Sequence, residues 1–339
     1  MKVLVTGGLG YIGSHTATVL INQGHELAIV DDLSNSSEDV LDAIGRTTGV
    51  KPKFWRHDIL NLEGLERVFE AFRPDGVIHF AAYKSVPESI RDPLAYWENN
   101  VQGTLCLLKC MDKYHASRFV FSSTAAVYGI PTELPVTELT ETKPINPYGQ
   151  TKLAAEQLIA SFIATRSNMR GVILRYFNPV GAHPAGFLGE VVKEQSHNLV
   201  AQIVRVLKKE QEALSVFGKD FPTRDGTGVR DYIHIMDLAE AHVEALEASK
   251  KTSKLLVYNV GTGHGYSVID IVTRFEAAMG SRVPLRFEQR RIGDPAEVYA
   301  SGERLKADTR WRPRRSLSDM CLSVLQWEDL KESGPASDL

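Results

Sequence analysis

Short apolar segments alternate with amphipathic segments through the first 176 residues of the chain. Several of the apolar segments are continuous rather than alternating, which is typical of strands covered on both faces. The predicted strands are residues 2–6, 26–30, 53–56, 76–80, 118–122 and 171–176. Helical patterns lie between them, at residues 15–23, 62–72, 96–114 and 148–166. This alternation through short loops predicts an α/β fold built on a doubly wound parallel sheet.

The pattern becomes irregular after residue 177, where prolines and glycines interrupt it. One further helix is predicted at residues 199–208, and a loop rich in Gly and Asp fills residues 218–230. We expect this part to cover the carboxyl edge of the sheet, where ligands of open α/β sheets bind. The predicted division is a sheet domain over 1–176, a smaller mixed α/β substrate domain over 177–330 and a tail over 331–339. A segment near residues 230–260 is expected to return to the first domain, with a strand at 257–260.

Composition excludes several classes of partner. The formal net charge of −3 over 339 residues argues against a nucleic acid or an anionic membrane. No apolar run approaches the roughly 18 residues that a membrane-spanning helix needs. The three cysteines, Cys106, Cys110 and Cys321, are too few for a disulfide framework, so a cytoplasmic location is predicted. No cluster of His, Cys and Asp has the spacing of metal ligands, so no metal is predicted.

Residues 3–13 contain glycines at the spacing of a phosphate-binding loop. Gly8, Gly10 and Gly13 fit the template G-x-G-x-x-G, while Gly7, Gly10 and Gly13 fit G-x-x-G-x-x-G. Either set follows the first strand and opens the first helix, which is the context that dinucleotide binding requires. The glycines let the backbone approach a pyrophosphate, which rests on the helix N-terminus.

An acidic pair follows the second predicted strand. Asp31 and Asp32 stand directly after residues 26–30, and Asp31 is 18 residues beyond Gly13. A carboxylate at this place accepts hydrogen bonds from the adenosine ribose and repels a 2′-phosphate. Because no arginine stands next to the pair, the sequence predicts a Rossmann-like domain that binds NAD rather than NADP.

Tyr148 and Lys152 are four residues apart on a predicted helix and therefore share a face. The preceding strand leads into hydroxyl residues that end with Thr124. A phenol has an ordinary pKa near 10, so it is a poor base at neutral pH. A nearby ammonium, together with a positive nicotinamide ring, is expected to lower that pKa. We predict that Tyr148 takes a proton from an alcohol hydroxyl while hydride leaves the same carbon, with Thr124 hydrogen-bonded to that oxygen.

The glycine segment, Asp31, the Tyr148–Lys152 pair and residues 175–181 resemble the extended short-chain dehydrogenase/reductase family. Other segments narrow the resemblance to the UDP-glucose 4-epimerases within that family, namely residues 80–84, 122–128, 225–234 and 290–294. The resemblance runs over nearly the whole chain. It implies an isomerase of galactose metabolism that interconverts UDP-galactose and UDP-glucose with bound NAD through a 4-keto sugar. It also implies a homodimer, in which helices 96–114 and 148–166 pair with their copies.

The resemblance implies a site residue by residue, with Tyr148, Lys152 and Thr124 as the catalytic group. The residues implied to line NAD are Gly7, Gly10, Tyr11, Ile12, Gly13, Asp31, Asp32, Leu33, Ser34, Asn35, Ser36, Asp58, Ile59, Phe80, Ala81, Ala82, Lys84, Asn99, Thr124, Tyr148, Lys152 and Phe177. Those implied to hold the UDP-sugar are Lys84, Thr124, Tyr148, Asn178, Asn198, Leu199, Ser215, Val216, Phe217, Arg230, Arg291, Asp294 and Val298. Two arginine forks suit a pyrophosphate.

Three other functions are alternatives to this one. A nucleotide-sugar 4,6-dehydratase needs an acid–base pair directly after Thr124, but Ala125 and Ala126 stand there and carry no protons. A 4-epimerase of UDP-N-acetylhexosamines or UDP-uronates stays open, because Val298, beside the expected sugar, is intermediate in bulk. A non-catalytic NAD-binding sensor protein would be expected to have lost the tyrosine or the lysine, and both are present. An assay of catalytic turnover would distinguish a sensor protein from the enzymes.

Overall fold

The computed structural model describes residues 1–191, 198–250, 254–291 and 293–332. Its strands are β1 (Lys2–Thr6), β2 (Glu26–Asp31), β3 (Lys53–Arg56), β4 (Gly76–His79), β5 (Arg118–Thr124), β6 (Arg170–Tyr176), β7 (Asn178–Val180), β8 (Leu214–Phe217), β9 (Val229–His234), β10 (Leu255–Val260), β11 (Gly265–Ser267), β12 (Leu285–Glu288) and β13 (Glu297–Val298). Its helices are α1 (Tyr11–Asn22), α2 (Asp39–Thr48), α3 (Leu62–Phe72), α4 (Val86–Arg91), α5 (Pro93–Trp97), α6 (Gly103–Tyr114), α7 (Pro147–Ala164), α8 (Leu199–Leu207), α9 (Ile235–Ala248), α10 (Val268–Met279), α11 (Glu303–Asp308) and α12 (Leu317–Glu332). A π-helical turn spans Glu98–Gln102, and a 3₁₀ turn spans Ala125–Tyr128.

Seven strands form one parallel sheet in the order β10-β6-β5-β4-β1-β2-β3. The chain winds outward from β1 through β2 and β3, then returns to the centre and continues in the other direction from β4. Strand order therefore reverses between β1 and β4, which is where open α/β sheets bind ligands at the carboxyl ends of their strands. The predicted doubly wound, Rossmann-like sheet is confirmed.

Each central strand is covered on both faces, which explains its continuous apolar sequence. Val3 and Val5 of β1 lie in a core shared with α1, α2 and α9. Leu4, between them, points to a second core shared with α3, α6 and α7. Full burial of such a side chain stabilises the folded state by about 1.5–3 kcal/mol. Strand β1 therefore packs on helices at both faces of the sheet.

The remaining strands form two small sheets. Strands β11, β9, β13 and β7 form one, and β8 pairs with β12 in the other. Helices α8, α10 and α12 pack around them on a core that includes Ile203, Tyr232, Phe275 and Met320. Strand β10 instead joins the main sheet beside β6, and α9 packs on α1. The domain limits at residues 176 and 330 stay a prediction.

The predicted helix at 96–114 is wrong as a single element. Helix α5 ends at Trp97, the π turn follows, and α6 begins at Gly103. The π turn contains Asn99 and Asn100, which are both buried. Buried amide side chains form hydrogen bonds that compete with regular helical ones. A π turn, which adds a residue to one helical turn, is frequent at functional sites.

The start of α1 and the end of α12 also differ from prediction. Helix α1 begins at Tyr11 instead of residue 15, because the glycine segment itself leads into its first turn. Helix α12 continues to Glu332, so the predicted tail at 331–339 overlaps its last residues. Residues 333–339 lie outside the described part of the chain. Over the residues that the structure describes, no helix combines the length and apolar character needed to cross a bilayer.

Candidate active site

The glycine segment forms a tight turn between β1 and α1. Gly7 has a φ of +66°, and a Cβ built there would lie 2.6 Å from the Ala81 amide nitrogen after β4. A Cβ on Gly13 would lie 2.4 Å from the Gly7 carbonyl oxygen. Any side chain at these two positions would force the turn apart. Gly10 is freer, because a Cβ there would meet only the Gly7 oxygen, at 3.3 Å. A Cβ on Gly8 would instead lie 2.8 Å from the Ile29 side chain, so both templates contain crowded glycines, and Gly7 is distinguished by its positive φ and by its contact with backbone atoms.

The N-terminus of α1 suits the pyrophosphate of a dinucleotide. Gly10 is the N-cap, and within the described chain no side chain caps the helix. The first amides of a helix have no partner inside it and lie at the positive end of its dipole. These amides belong to Tyr11, Ile12 and Gly13. An anion can approach them because Gly10 leaves the space above the turn open, so the residues present fit NAD.

Asp31 ends β2 and organises the loops around the expected adenosine. Its carboxylate is buried and accepts hydrogen bonds from the Leu9 amide at 3.0 Å, the Leu33 amide at 3.0 Å and the Ser36 hydroxyl at 2.7 Å. A carboxylate has about four acceptor positions, so one remains for a ribose hydroxyl. Arg56 of β3 is the register neighbour of Asp31. The sequence could not reveal this basic neighbour because the two residues are far apart in the chain.

The other residues predicted to line NAD follow the strands of the main sheet. Asp58 and Ile59 follow β3, residues 80–84 follow β4, and Phe177 follows β6. Parallel strands end at one edge of a sheet, so these segments lie along the same edge. Residues 31–36 end β2 and form the loop after it at this edge. In that loop the half-buried Asp32 carboxylate accepts a 2.9 Å bond from the Ser34 amide.

Asn100 is a site residue that the sequence analysis missed. Its side-chain oxygen accepts from the Tyr83 amide at 2.8 Å and from the Asn99 side chain at 3.0 Å. Its side-chain nitrogen donates to the Tyr83 carbonyl at 3.1 Å and to the Thr151 hydroxyl at 3.1 Å. The Thr151 hydroxyl in turn donates to the Tyr148 carbonyl at 2.8 Å. The π turn thus ties the loop after β4 to α7. Two adjacent asparagines inside an apolar helical pattern were the available signal.

Helix α7 places the predicted catalytic pair beside the end of β5. The helix begins at Pro147 because the Asn146 side chain caps it with a 2.8 Å bond from the Gly149 amide. Tyr148 and Thr124 are each 9% exposed and Lys152 is 3% exposed. The Lys152 ammonium lies 4.3 Å from the centre of the Phe121 ring on β5. The structure therefore brings the three predicted groups together in a nearly dry place.

Burial shifts the pKa values of the pair in opposite directions. Burial raises the pKa of Tyr148 above its ordinary value, Tyr176 adds to the rise, and the nearby Thr124 hydroxyl opposes it. Burial also lowers the pKa of Lys152 to about 7, against the negative charge of Glu156. The chain's own groups therefore leave the phenol protonated at neutral pH. The lowered pKa expected from the sequence then depends on the positive nicotinamide ring.

A second polar cluster, also missed from the sequence, lies behind Tyr148. The Ser122 hydroxyl is 3.0 Å from the Tyr176 hydroxyl and 3.2 Å from the His242 Nε2. His242 Nδ1 lies 2.9 Å from the Leu238 carbonyl oxygen, so it donates its hydrogen there. Burial lowers the pKa of His242 to about 4, which keeps it neutral. These residues come from β5, β6 and α9, and no sequence spacing connects them.

The residues predicted to hold UDP lie on the small sheets and on the helix and loops beside them. Asn178 starts β7, Leu199 starts α8, and residues 215–217 belong to β8. Arg230 on β9 forms an ion pair with Asp294 and is the register neighbour of Val298 on β13. Arg291 instead lies with its guanidinium 3.9 Å from the centre of the Phe217 ring. The sequence suggested two similar arginine forks, but the structure gives the two arginines different partners.

Glu190, which the sequence analysis also missed, joins the two halves of the site. Its carboxylate lies 3.4 Å from the Lys84 ammonium. It also accepts a 3.0 Å bond from the side chain of Asn198, the N-cap of α8. One carboxylate therefore connects a residue predicted to line NAD with one predicted to hold UDP. In the part of the chain that the structure describes, no group of three or more His, Cys, Asp or Glu could hold a metal ion.

Comparison with known proteins agrees with this geometry. The model of the NAD dependent epimerase/dehydratase family matches residues 3–261. The chain belongs to this family. The match runs from β1 to the residue after β10, so it includes all seven strands of the main sheet and both Tyr148 and Lys152.

Individual members of the NAD dependent epimerase/dehydratase family are similar over nearly their whole length. The UDP-glucose 4-epimerase of Bacillus subtilis is 45% identical over 98% of this chain and 98% of its own. A crystal structure of UDP-glucose-4-epimerase from Stenotrophomonas maltophila, with bound NAD and formylated UDP-arabinopyranose, has a TM-score of 0.96 at 43% identity and covers 98% and 99% of the two chains. The Bifidobacterium longum enzyme, solved with NAD+ and UDP, has a TM-score of 0.92 at 42% identity over 97% and 98%.

Proposed function

We propose that this chain is a UDP-glucose 4-epimerase that interconverts UDP-galactose and UDP-glucose. The observation that carries the proposal is that Tyr148 and Lys152 of α7 lie with Thr124 at the end of β5, on the same carboxyl edge of the sheet as the glycine turn suited to NAD. All three side chains are nearly buried, and Thr124 ends β5, the strand next to β4 in the sheet. The relatives that match over nearly the full length are named for the same activity.

The chain's own groups handle the proton in this reaction. Tyr148 takes the proton of the sugar 4-hydroxyl, and the Lys152 ammonium stabilises the resulting phenolate. Thr124 shares a hydrogen bond at the same oxygen. Bound NAD supplies a reversible hydride acceptor for C4 of the sugar. When the 4-keto sugar rotates within the site it presents its other face, so that the hydride can return to C4 while Tyr148 returns the proton to the oxygen.

The UDP-binding residues keep the sugar from leaving during this rotation. We assign the pyrophosphate to Arg230 and Arg291, and the uridine to Asn198, Asp294 and the β8 segment. Asp294 already pairs with Arg230, so it can orient that guanidinium as well as accept hydrogen bonds from ribose. The UDP part of the substrate does not react, so its binding energy can retain the substrate in the site while the sugar stays free to rotate.

A test of this function needs no added cofactor. Because net oxidation over one cycle is zero, purified protein that retains NAD is expected to convert UDP-galactose to UDP-glucose by itself. Free galactose is the matched control and should not react, since it lacks the UDP part. Absence of conversion in a preparation with confirmed NAD would overturn the proposal. A parallel assay of UDP-N-acetylgalactosamine decides whether the buried Val298 leaves room for an N-acetyl group.

We also propose that the protein is a homodimer that pairs through α6 and α7. Trp97 and Leu105 are 42% and 37% exposed on the segments that lead into and form α6. Leu108, three residues further along α6, is only 2% exposed and belongs to the core. Light scattering at micromolar concentration is expected to give twice the mass of one chain. Leu105→Glu should shift the measured mass toward that of a single chain. Leu139→Glu, at a residue 92% exposed elsewhere, is the control. A wild-type monomer would contradict the dimer.

The cytoplasmic location is likewise a proposal. All three cysteines are free and buried in the structure. Free cysteines are compatible with a reducing compartment.

A further inference from the structure

A buried ion pair joins α7, the helix that carries Tyr148 and Lys152, to strand β6, and neither of its residues touches the reacting atoms in the chemistry proposed above. Glu156 and Arg175 are 4% and 7% exposed. The Arg175 Nη2 is 2.6 Å from the Glu156 Oε2, and its Nε lies 3.1 and 3.3 Å from the two carboxylate oxygens. The Ser123 hydroxyl also donates to this carboxylate. Glu156 therefore connects α7 with both β5 and β6.

The pair stands next to each group of the proposed chemistry. Glu156 follows Lys152 by four residues and Tyr148 by eight, so the three lie along one row of α7. Ser123 directly precedes Thr124 on β5. The bond from Ser123 to Glu156 therefore ties the helix that carries the acid–base pair to the strand that carries the hydroxyl.

The pair also reaches the segment beside the expected sugar. Arg175 Nη1 donates to the Tyr128 hydroxyl at 3.1 Å, and that hydroxyl donates to the Asn259 side chain at 2.7 Å. The Asn259 amide group donates to the Val136 carbonyl at 3.0 Å. The Val136 backbone amide donates to the Tyr299 carbonyl at 2.9 Å, and the Val136 carbonyl accepts from the Ser301 amide at 2.7 Å. These residues directly follow Val298.

Stability alone does not explain a buried ion pair at this place. Taking two charges out of water costs several kcal/mol per ion, and well-packed apolar residues of the same volume are often as stable or more so. What the pair supplies is fixed geometry, because a bidentate arginine–carboxylate contact has one preferred arrangement.

We propose that the Glu156–Arg175 pair is a positioning device that sets the separation of Tyr148, Lys152 and Thr124. It does so by fixing α7 against β5 and β6. Neither residue touches substrate or cofactor in this role. The proposal rests on the epimerase function proposed above, since it concerns the groups that perform that reaction.

The electrostatic surroundings of Lys152 give a readout that a purely structural role would not move. Tyr148 and Glu156 face Lys152 from α7, His79 faces it from β4, and Arg175 of β6 stands behind Glu156. Burial lowers the pKa of His79 to about 3, so this residue stays neutral. Glu156 is therefore the negative charge that raises the pKa of Lys152 against burial.

The test compares three variants of the NAD-loaded protein. Glu156→Gln keeps the size and an acceptor for Ser123 but removes the charge. It is expected to lower kcat about 10- to 100-fold, the scale of a small misplacement in a catalytic site, with KM for UDP-galactose nearly unchanged. Loss of the negative charge lowers the pKa of Lys152. The decrease of kcat at alkaline pH, which follows the loss of the Lys152 proton, should therefore occur at a lower pH. Ser123→Ala should lower kcat less than Glu156→Gln does, and should not change the pH at which kcat decreases.

Asp112→Asn is the matched control. It removes the exposed ion pair between Asp112 and Arg166, which lies just past the end of α7, and should change neither kcat nor its pH profile. Wild-type kcat and pH profile in Glu156→Gln, or a loss of thermal stability alone, would overturn the proposal. Should Glu156→Gln fail to fold, an unchanged kcat in Ser123→Ala would overturn it. Absence of turnover in the wild type would overturn the epimerase function and this inference with it.

Discussion

Replacing Tyr148 with phenylalanine is expected to lower kcat for UDP-galactose by about 10²- to 10⁴-fold, the usual contribution of a positioned general base. The substitution removes one hydroxyl and leaves the ring in its buried place at the start of α7. The protein should therefore fold and retain NAD. The measurement is the initial rate of UDP-glucose formation, normalised to the NAD released from denatured protein.

Tyr114→Phe is the matched control for this variant. It makes the same change at the last residue of α6, away from the proposed chemistry, and should leave kcat as it is. A Tyr148→Phe protein with normal NAD content and a rate within a factor of about ten of the wild type would mean that another group takes the proton. Tyr176 would then be the first alternative, because it lies close enough to raise the pKa of Tyr148.

Replacing Lys152 with methionine is expected to abolish most activity and yet stabilise the fold. Methionine has a similar length but no charge, so a phenolate at Tyr148 loses its stabilising ammonium. We expect kcat to fall by about 10²-fold or more, within the range seen for acid–base groups. The stability gain follows because the folded protein no longer buries a charge.

The pH dependence of that gain has a definite sign. Burial lowers the pKa of Lys152 from 10.5 to about 7, so between these pH values the unfolded chain binds more protons than the folded chain. The free energy of unfolding of the wild type therefore rises with pH across this interval. Because methionine does not titrate, the advantage of Lys152→Met should be largest below about pH 7 and shrink toward pH 10.

Thermal unfolding of NAD-free protein at several pH values tests this prediction. Stripping NAD separates the cost of burying the charge from the loss of a cofactor contact. Lys143→Met makes the same change at an exposed residue and should show no such pH dependence. A Lys152→Met protein that is less stable than the wild type at pH 7 would contradict the prediction.

The features that the sequence revealed are those whose cause is local. Strand β1 has its predicted bounds because burial on both faces leaves a continuous apolar run. The edge strand β3 also has its predicted bounds, although its side chains are only half-buried or exposed. The glycine turn and Asp31 could be found because a tight turn and a strand end require particular residues at fixed spacing. The Tyr148–Lys152 pair has the spacing of one helix face, although the sequence could not show that both groups are dry.

The features that the sequence concealed depend on pairs that meet only after folding. Glu190 contacts residues 84 and 198, and Arg56 meets Asp31 through strand register. The π turn arises because Asn100 finds partners in a loop and in α7, and neither is visible in a helical repeat. Such contacts follow from topology, which residue spacing does not specify.

The position of β10 has a consequence for synthesis on the ribosome. This strand pairs with β6 at the edge of the main sheet, and α9 covers α1, yet both are made after α8 and the small-sheet strand β9. A nascent chain that has just produced β6 exposes an unpaired strand edge and an uncovered apolar helix face. Such edges are prone to pair with other chains. Translation must therefore advance about another eighty residues before the NAD half can close, whatever the speed of its local folding.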